Sequence, residues 1–306
     1  MLNKRSLLSQ FLHFSAATVA SLMVFSLYSI VDGLFVAKGV GEYAMSAVNL
    51  AVPFMNVMFS IAVLFAVGTS TIIAIYLGEG RRENANRLFS QNLAVLVVIG
   101  LVITGLVLVF LEPFAMLLGA KDVTLEYTKD YLRGLAPFAV CFIVSYNMEI
   151  LVKTDGRPAL AIVTVITGCL TNCVLDYVAI FVLDWGAWGA AFATGLAPII
   201  SMLILSLHFI RRKNRFRFVG RWYGKLSGGI LSGGVPSLVT EASSGLVMIV
   251  LNGIIMSLEG NVGVAAYGVI ANLSLVVVSV YTGIAQGIQP IMSRDWGSGK
   301  RAEISA

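Results

Sequence analysis

Long apolar stretches separated by short polar segments dominate the pattern of this 306-residue chain. A helix needs about 20 consecutive apolar residues to cross the hydrocarbon core of a bilayer. Eight stretches reach that length, at residues 12–36, 45–77, 89–111, 131–153, 160–183, 187–210, 229–256 and 262–293. Their near-absence of charge is unlike the weakly alternating strands of an outer-membrane barrel. The pattern therefore predicts an all-α, polytopic transmembrane protein.

Charge is scarce in this chain and lies between the apolar stretches. Only 12% of the residues are charged and 58% are hydrophobic, whereas a soluble domain is about 25% charged. The net charge of +5 could indicate nucleic-acid binding, but the basic residues do not follow one polar face. The composition therefore indicates a protein surrounded by a lipid bilayer, with no nucleic acid as partner.

The sequence contains no pattern of a catalytic, metal or disulfide site. The three cysteines, Cys141, Cys169 and Cys173, lie in apolar stretches and lack metal-type spacing. No Walker motif, zinc signature or nucleophile elbow is present. We therefore expect neither an enzyme nor a bound cofactor, and no ATP-driven transport.

The basic residues predict the orientation of the spans. With the N-terminus in the cytoplasm, 17 of the 21 basic residues fall on the cytoplasmic side, as the positive-inside rule requires. The other side holds only Lys38, Lys121, Lys129 and Arg133. The longest connector, 211–228, carries seven basic residues and reads as a cytoplasmic loop that touches anionic headgroups. We expect a multi-pass protein of the cytoplasmic membrane.

An internal repeat relates the first two spans to the last two. Residues 66–83 align with residues 285–302, and their glycines match at an offset of 219: Gly68, Gly78 and Gly80 fall on Gly287, Gly297 and Gly299. An even number of spans separates the copies, so both have the same topology. Such repeats are related by an axis along the membrane normal and place the substrate site at their interface.

The repeat predicts more spans than this sequence contains. If the second half matches the first, the whole protein has twelve spans and about 440 residues. Residues 1–220 then form an N-terminal lobe of six helices, with the basic connector starting at 211. Residues 221–306 form the start of a C-terminal lobe, helices 7 and 8, and we expect the chain to be C-terminally truncated after about eight of twelve spans.

Several runs resemble the multidrug and toxic compound extrusion (MATE) family. They are DGLFVAKGVGEYAMSAVNLAVP (32–53), GTSTIIAIYLGEGRRENANRLF (68–89), TNCVLDYVAIFVLDWGAWGAAFAT (171–194) and GIAQGIQPIMSRDWGSGKR (283–301). The Asp-Gly of the first run and the GIQP of the last are most similar to the MepA-like branch. The resemblance covers nearly the whole chain. It implies two six-helix lobes and export of organic, often cationic, compounds by alternating access, coupled to inward flow of H⁺ or Na⁺.

Ionisable residues inside spans are costly and therefore indicate functional sites. Asp176 lies inside span 5 with Asn172 one turn earlier on the same face, and Thr194 enters span 6 at comparable depth. Asp32 lies near the outer end of span 1. The resemblance implies that an acid and an amide at these places line a cation or proton site, and it adds the amide of Asn147. Oxygen ligands suit Na⁺ as well as H⁺, so the coupling ion stays open, with a possible Na⁺ at Asp32, Asn172 and Asp176.

Other polar residues have weaker assignments. Glu149 lies one turn before Lys153, so a structural ion pair is the simpler interpretation. Glu241 is near the middle of span 7, where the resemblance implies substrate or cation binding. We assign a substrate cavity to Glu241, Tyr28, Met55 and Asn252, which occupies the repeat-equivalent place of Asp32.

The sequence therefore predicts a monomeric secondary active exporter of small amphipathic organic cations. A flippase for lipid-linked oligosaccharides, from the same superfamily, is one alternative, but it favours a strongly basic cavity that these spans do not offer. A non-transporting membrane scaffold is the other, and it leaves Asp32, Asp176 and Glu241 without a role.

Overall fold

The computed structural model describes residues 7–210, 214–220 and 227–299. Some side chains, most of them between 244 and 276, lie outside the description. All regular structure in the described part is helical. The α-helices are α1 (Leu7–Gly39), α2 (Glu42–Gly78), α3 (Arg82–Val109), α4 (Leu111–Leu117), α5 (Asp122–Leu135), α6 (Ala139–Thr154), α7 (Pro158–Tyr177), α8 (Gly186–Ile210) and α9 (Ser227–Gly297).

Six helical segments of the described residues are long and apolar enough to cross a membrane. They are Ser9–Val36, Tyr43–Gly78, Arg82–Val109, Asp122–Thr154, Pro158–Val182 and Gly186–Ile210. These segments confirm the first six predicted spans and the all-α class.

The fourth of these segments is interrupted at a proline. Helix α5 ends at Leu135, a 3₁₀ turn covers Ala136–Phe138, and α6 begins at Ala139. Pro137 lacks an N–H, so the Arg133 carbonyl one turn earlier has no helical donor, and the proline ring favours a break at this point. The Ala136 carbonyl accepts from the Ala139 N–H of the 3₁₀ turn and from the Thr104 hydroxyl of α3 at 2.7 Å. A neighbouring helix therefore adds a hydrogen bond to the backbone beside this break.

The predicted boundary between spans 7 and 8 is not a break in helical structure. The helical assignment of α9 runs through residues 257–261, which contain no proline to interrupt it. A straight helix of 71 residues would be about 107 Å long. Both ends of α9 nevertheless contact α2, Ile230 beside Gly68 and Arg294 beside Gly78, positions about 15 Å apart along that helix. Helix α9 therefore returns to α2 and is not a straight rod.

Glycines allow α2 and α9 to pack with their backbones in contact. A Cβ atom on Gly234 would lie 2.0 Å from the Leu64 carbonyl oxygen, and one on Gly78 would lie 2.2 Å from that of Arg294. Small residues permit such close approach between membrane helices. The repeat explains part of this contact, because Gly78 lies beside Gly297, its partner at offset 219.

Hydrogen bonds support the same interface. Ser70 and Gln289, again 219 residues apart, hydrogen-bond through their side chains, with the Gln289 amide nitrogen 3.0 Å from the Ser70 hydroxyl. Because two equivalent positions of the repeat touch each other, the axis that relates the copies passes between them. The sequence repeat is therefore a structural repeat at this interface.

Two glycines of α3 provide a matched test of helix packing. A Cβ atom on Gly100 would lie 2.7 Å from the Val140 Cα atom of α6, whereas one on Gly105 would meet nothing within 4 Å. Gly100→Ala should therefore lower the free energy of unfolding by about 1–3 kcal/mol through overpacking. Gly105→Ala should be neutral or raise it by up to about 1 kcal/mol through better helix propensity.

Thermal unfolding of the two purified variants in the same detergent checks this prediction. A Gly100→Ala protein as stable as the Gly105→Ala protein would contradict the packing of α3 on α6.

Candidate functional site

Two aspartates from different helices, one half-buried and one buried, meet in the interior. Asp32 of α1 and Asp176 of α7 are close enough for their carboxyl groups to hydrogen-bond, and Asp176 is 0% exposed. One oxygen of each, Oδ1, is buried without another hydrogen-bond partner in the described part of the chain. Two carboxylates cannot hydrogen-bond to each other unless one holds a proton. Two carboxyl groups placed this close can share a proton or hold a cation between their oxygens.

Asn172 and Thr194 complete one side of the pair. With its amide nitrogen turned toward the carboxylate, Asn172 donates to Asp176 Oδ2 at 2.7 Å. Its oxygen then accepts from the Thr194 backbone N–H at 3.2 Å. The structure thus brings together four residues of the predicted site: Asn172 and Asp176, grouped by helical spacing, Thr194, added by its depth in span 6, and Asp32, added by the family resemblance.

Tyr131 is a residue of this site that the sequence did not indicate. It is fully buried on α5, and its hydroxyl hydrogen-bonds the Thr194 side chain. The Thr194 hydroxyl donates to the Ala190 carbonyl at 3.0 Å, so Tyr131 is the donor. Tyr131 lies at the first residue of a predicted span, and no spacing rule connects it to Asp176. Only the packing of α5 against α8 reveals it.

The local structure around Asp176 is irregular. Helix α7 ends one residue later, and Val178–Val182 form a π-helix, a form that is rare and frequent at functional sites. The facing part of α8 is built from small residues, and Gly189 packs against Ala179. These small residues let α8 approach closely enough for Thr194 to reach Asn172.

Tyr28 lies near this site. It is one turn before Asp32 on α1 and interacts electrostatically with Asp32, Asp176 and Tyr131. Met55 is half-buried on α2 and packs against the apolar core. The substrate cavity assigned to Tyr28 and Met55 therefore stays a prediction.

Asn147 belongs to a different polar network. Its Oδ1 accepts from the Asn92 amide at 2.8 Å, and Asn92 in turn accepts from the Thr69 hydroxyl at 2.9 Å. Helices α2, α3 and α6 are joined by this chain of bonds. The contacts that the structure gives Asn147 run to Asn92 and not to the carboxyl pair.

Two acids lie apart from the pair. Glu149 forms an ion pair with Lys153 at 2.8 Å, which confirms the structural interpretation. Glu241 of α9 is half-buried and interacts electrostatically with Tyr146 of α6, whose hydroxyl hydrogen-bonds Gln286. The side chain of Asn252 lies outside the described residues.

Comparison with known proteins gives a family and a fold. The MatE family model matches residues 17–178. The multidrug export protein MepA of Staphylococcus haemolyticus is 25% identical over 302 residues, covering 96% of this chain. MepA of Staphylococcus aureus is 23% identical over 295 residues, covering 94%. The chain spans 66% and 64% of these two relatives, which is less than two thirds of their length.

Solved structures share the helical arrangement. A structure described as MATE in the straight conformation has a TM-score of 0.90 and 23% identity, with 97% of this chain and 67% of that chain covered. An outward-facing multidrug resistance MATE family transporter of the MOP superfamily has a TM-score of 0.89 and 24% identity, covering 97% and 66%. At these identities the similarity shows the fold.

Replacing Tyr131 with Phe tests the bond to Thr194. Tyr131→Phe should lower the free energy of unfolding by about 1 kcal/mol, because a buried hydrogen bond is lost without creating a cavity. Tyr127→Phe, one turn earlier on the same helix and half-buried, should have a smaller effect. Thermal unfolding of both proteins in one detergent measures the difference. Equal effects would mean that the Tyr131 hydroxyl has no partner there.

Proposed function

This chain belongs to the MatE family, and on that premise we propose that the protein is a secondary active exporter of amphipathic organic cations. Relatives named multidrug export proteins support this proposal, and they align along nearly the whole chain. The six described candidate spans support a multi-pass membrane protein. Because the chain spans less than two thirds of those relatives, the activity is proposed for the full-length protein.

The contact between Asp32 and Asp176 is the observation that carries the proposal. Placing two carboxyl groups in the low-dielectric interior costs free energy, so the presence of such a pair indicates a functional site. Loading and unloading of one positive charge changes the repulsion between the two acids. If one lobe conformation favours the loaded pair, the ion gradient shifts the conformational equilibrium and drives export.

We propose H⁺ as the coupling ion. A shared proton fits the direct contact between the two carboxyl groups. One group must be protonated to donate a hydrogen bond, and the other then accepts it. The Asn172 oxygen, which would be an Na⁺ ligand, instead accepts from Thr194 N–H, and its nitrogen faces Asp176. This arrangement suits a proton better than a sodium ion, and Na⁺ is the alternative that the first experiment separates.

Alternating access supplies the second part of the mechanism. We place the lobe boundary in the connector, so that residues 1–220 form one lobe and 221–306 begin the other. The ends of the helices near Gly78, Asp155 and the connector residues 214–220 form what we call the connector face. From the distribution of basic residues we assign this face to the cytoplasm. The contacts of α2 with α9 at Ser70 and Gly78 then close the cytoplasmic side.

Substrate recognition is proposed to involve an acid in apolar surroundings. Glu241 is half-buried and lies within electrostatic range of Tyr146, so a negative charge and an aromatic ring share this part of the structure. Such a pair suits an organic cation, because the charge and the ring face both attract it. This position is distinct from the carboxyl pair, so substrate and coupling ion bind at separate places.

Neutralising the carboxyl pair should uncouple transport. Asp176→Asn should abolish ethidium efflux driven by an imposed pH gradient, and Asp32→Asn should weaken it strongly, because neither retains the shared proton. Asp130→Asn, an exposed acid that pairs with Arg133, should leave efflux unchanged. Efflux is measured in a pump-deficient cell under pH and sodium gradients imposed separately, with expression checked for each variant.

The imposed gradient, pH or sodium, that drives efflux by the wild-type protein identifies the coupling ion. A wild-type response to sodium alone would replace H⁺ with Na⁺. Unchanged efflux in both neutralised variants would remove the pair from the mechanism and make Glu241 the leading candidate.

A disulfide across the connector face should stop alternating access. Ser70→Cys with Gln289→Cys, in a protein whose native cysteines are replaced by serine, should cross-link α2 to α9 under oxidation. Efflux should fall on oxidation and return after reduction, since opening this face requires the two residues to separate.

A cross-link within one lobe is the matched control. Thr69 and Asn92 are in hydrogen-bond contact, so Thr69→Cys with Asn92→Cys should cross-link without blocking efflux. Full efflux in the oxidised 70–289 protein, with cross-linking verified by gel mobility, would show that this contact does not open during transport.

A further inference from the structure

The described part of the connector is fastened to the N-terminal lobe through its backbone. Three alternate N–H groups donate to side-chain oxygens of the lobe. The pairs are Arg215 N–H with Asp155 Oδ1 at 2.6 Å, Arg217 N–H with Asn86 Oδ1 at 2.7 Å, and Val219 N–H with Ser90 Oγ at 2.8 Å. The acceptors at 86 and 90 are one turn apart on the same face of α3. We call residues 214–219 the strap.

The first of these bonds is made by a buried carboxylate. Asp155 directly follows α6 and is 5% exposed. Its second oxygen, Oδ2, lies 2.8 Å from His208 Nε2 of α8, so both of its oxygens have the partners that a buried charge requires. The Asn214 amide donates to the Phe209 carbonyl of α8 at 2.9 Å. The beginning of the strap is therefore tied both to the turn after α6 and to the end of α8.

Aromatic side chains fill the space between the strap and the lobe. Phe216 is 0% exposed, and its ring centroid lies 5.1 Å from that of Phe89 of α3 and 5.5 Å from that of Phe209 of α8. The Phe218 ring lies 4.8 Å from the same Phe89 ring. Aromatic pairs at these distances stabilise a contact beyond the apolar area that they bury. The strap therefore joins the start of α3, the turn after α6 and the end of α8.

The contact of the strap with α9 is of a different kind. Among the described residues, the hydrogen bonds of the strap run to α3, α8 and the turn after α6, and none runs to α9. Arg215 lines a small niche together with Pro290, Ile291 and Arg294 of α9. Arg294 forms its ion pair within α9, with Asp295 at 2.8 Å. Side-chain contact is therefore what the strap shares with α9, and a small separation is enough to lose it.

We infer that the strap is a fixed part of the N-terminal lobe and that the connector face opens between the strap and α9. Leaving α3 would break several backbone hydrogen bonds together with the aromatic packing, whereas parting from α9 separates side chains that are only in contact. The strap therefore travels with the N-terminal lobe when α9 moves away. This movement rests on the proposed alternating access, whereas the docking of the strap does not.

A docked strap also shortens the free link between the lobes. Helix α8 ends at Ile210 and α9 begins at Ser227. A chain fully extended between these two residues could reach about 60 Å, whereas the chain between Val219 and Ser227 could reach only about 28 Å. Docking therefore limits how far the start of α9 can move from the N-terminal lobe.

Hydrogen exchange of the full-length protein in detergent, resolved to single amides, tests the docking. The Arg217 and Val219 amides should exchange at least about tenfold more slowly than in a free peptide of the same sequence, because they are hydrogen-bonded in the fold. Asn86→Ala should restore fast exchange at Arg217, and Ser90→Ala should restore it at Val219. Glu83→Gln, one turn earlier on α3 and exposed, should leave both rates unchanged.

The two alanine variants are independent, so one serves if the other does not fold. Exchange in the wild type as fast as in the free peptide would overturn the inference. Rates that are slow but equal in the wild type and in both alanine variants would also overturn it, because the α3 side chains would then not hold the strap.

A cross-link tests whether the strap stays docked during transport. Asn86→Cys with Arg217→Cys, in a full-length protein whose native cysteines are replaced by serine, should join the strap to α3 under oxidation, as verified by mass spectrometry. Ethidium efflux should be the same before and after oxidation, whereas the 70–289 cross-link should stop it. Efflux that is lost on oxidation of the 86–217 protein and restored by reduction would overturn the inference, since the strap would then have to leave α3. A wild-type protein without efflux would refute the proposed function alone, and the exchange rates would still decide whether the strap is docked.

Discussion

The constraint on which this structure depends is that polar groups inside the bilayer must be satisfied by the protein itself. Continuous helices satisfy the backbone, and hydroxyl groups such as those of Thr18 and Ser21 return hydrogen bonds to carbonyls one turn earlier. Beside the break at Pro137, the Thr104 hydroxyl adds a hydrogen bond to the Ala136 carbonyl. At the Asp32–Asp176 pair, the two carboxyl groups satisfy each other only if one is protonated or a cation lies between them, and in the proposed mechanism this requirement is the basis of ion coupling.

Close packing of glycines is the second physical element of the fold. Lipid provides no hydrophobic drive for helices to associate, so contact between helices relies on shape and on backbone approach. Helix α9 uses this kind of contact with both α1 and α2: Gly287 lies against Ser15, and Gly297 against Ile75. An interface of this kind has few intermediate arrangements, since a small separation loses most of its contacts. It is therefore suited to two discrete states.

Helix α1 connects these two features. Its Asp32 meets Asp176 of α7, while residues earlier in the same helix contact α9 through Val19 and through the hydroxyl pair of Ser26 and Ser279. A change in the repulsion between the acids therefore acts on a helix that also packs on α9. In the proposed mechanism this helix transmits the charge state of the pair to the interface that opens and closes.

The sequence by itself determined the membrane class and six of the spans, because these depend on the length of apolar runs. It also determined the repeat, from the similarity of two segments of the chain, and the grouping of Asn172 with Asp176, from their spacing along one helix. The Glu149–Lys153 ion pair is of the same kind. Tertiary structure decided which distant residues share a site. Tyr131 contacts Thr194, and Asn147 contacts Asn92, and in each case the two residues lie on different helices. The spacing of residues within one helix cannot predict such contacts. The tertiary structure also decided that α9 returns to α2, since contacts between residues far apart in sequence depend on how the helices pack.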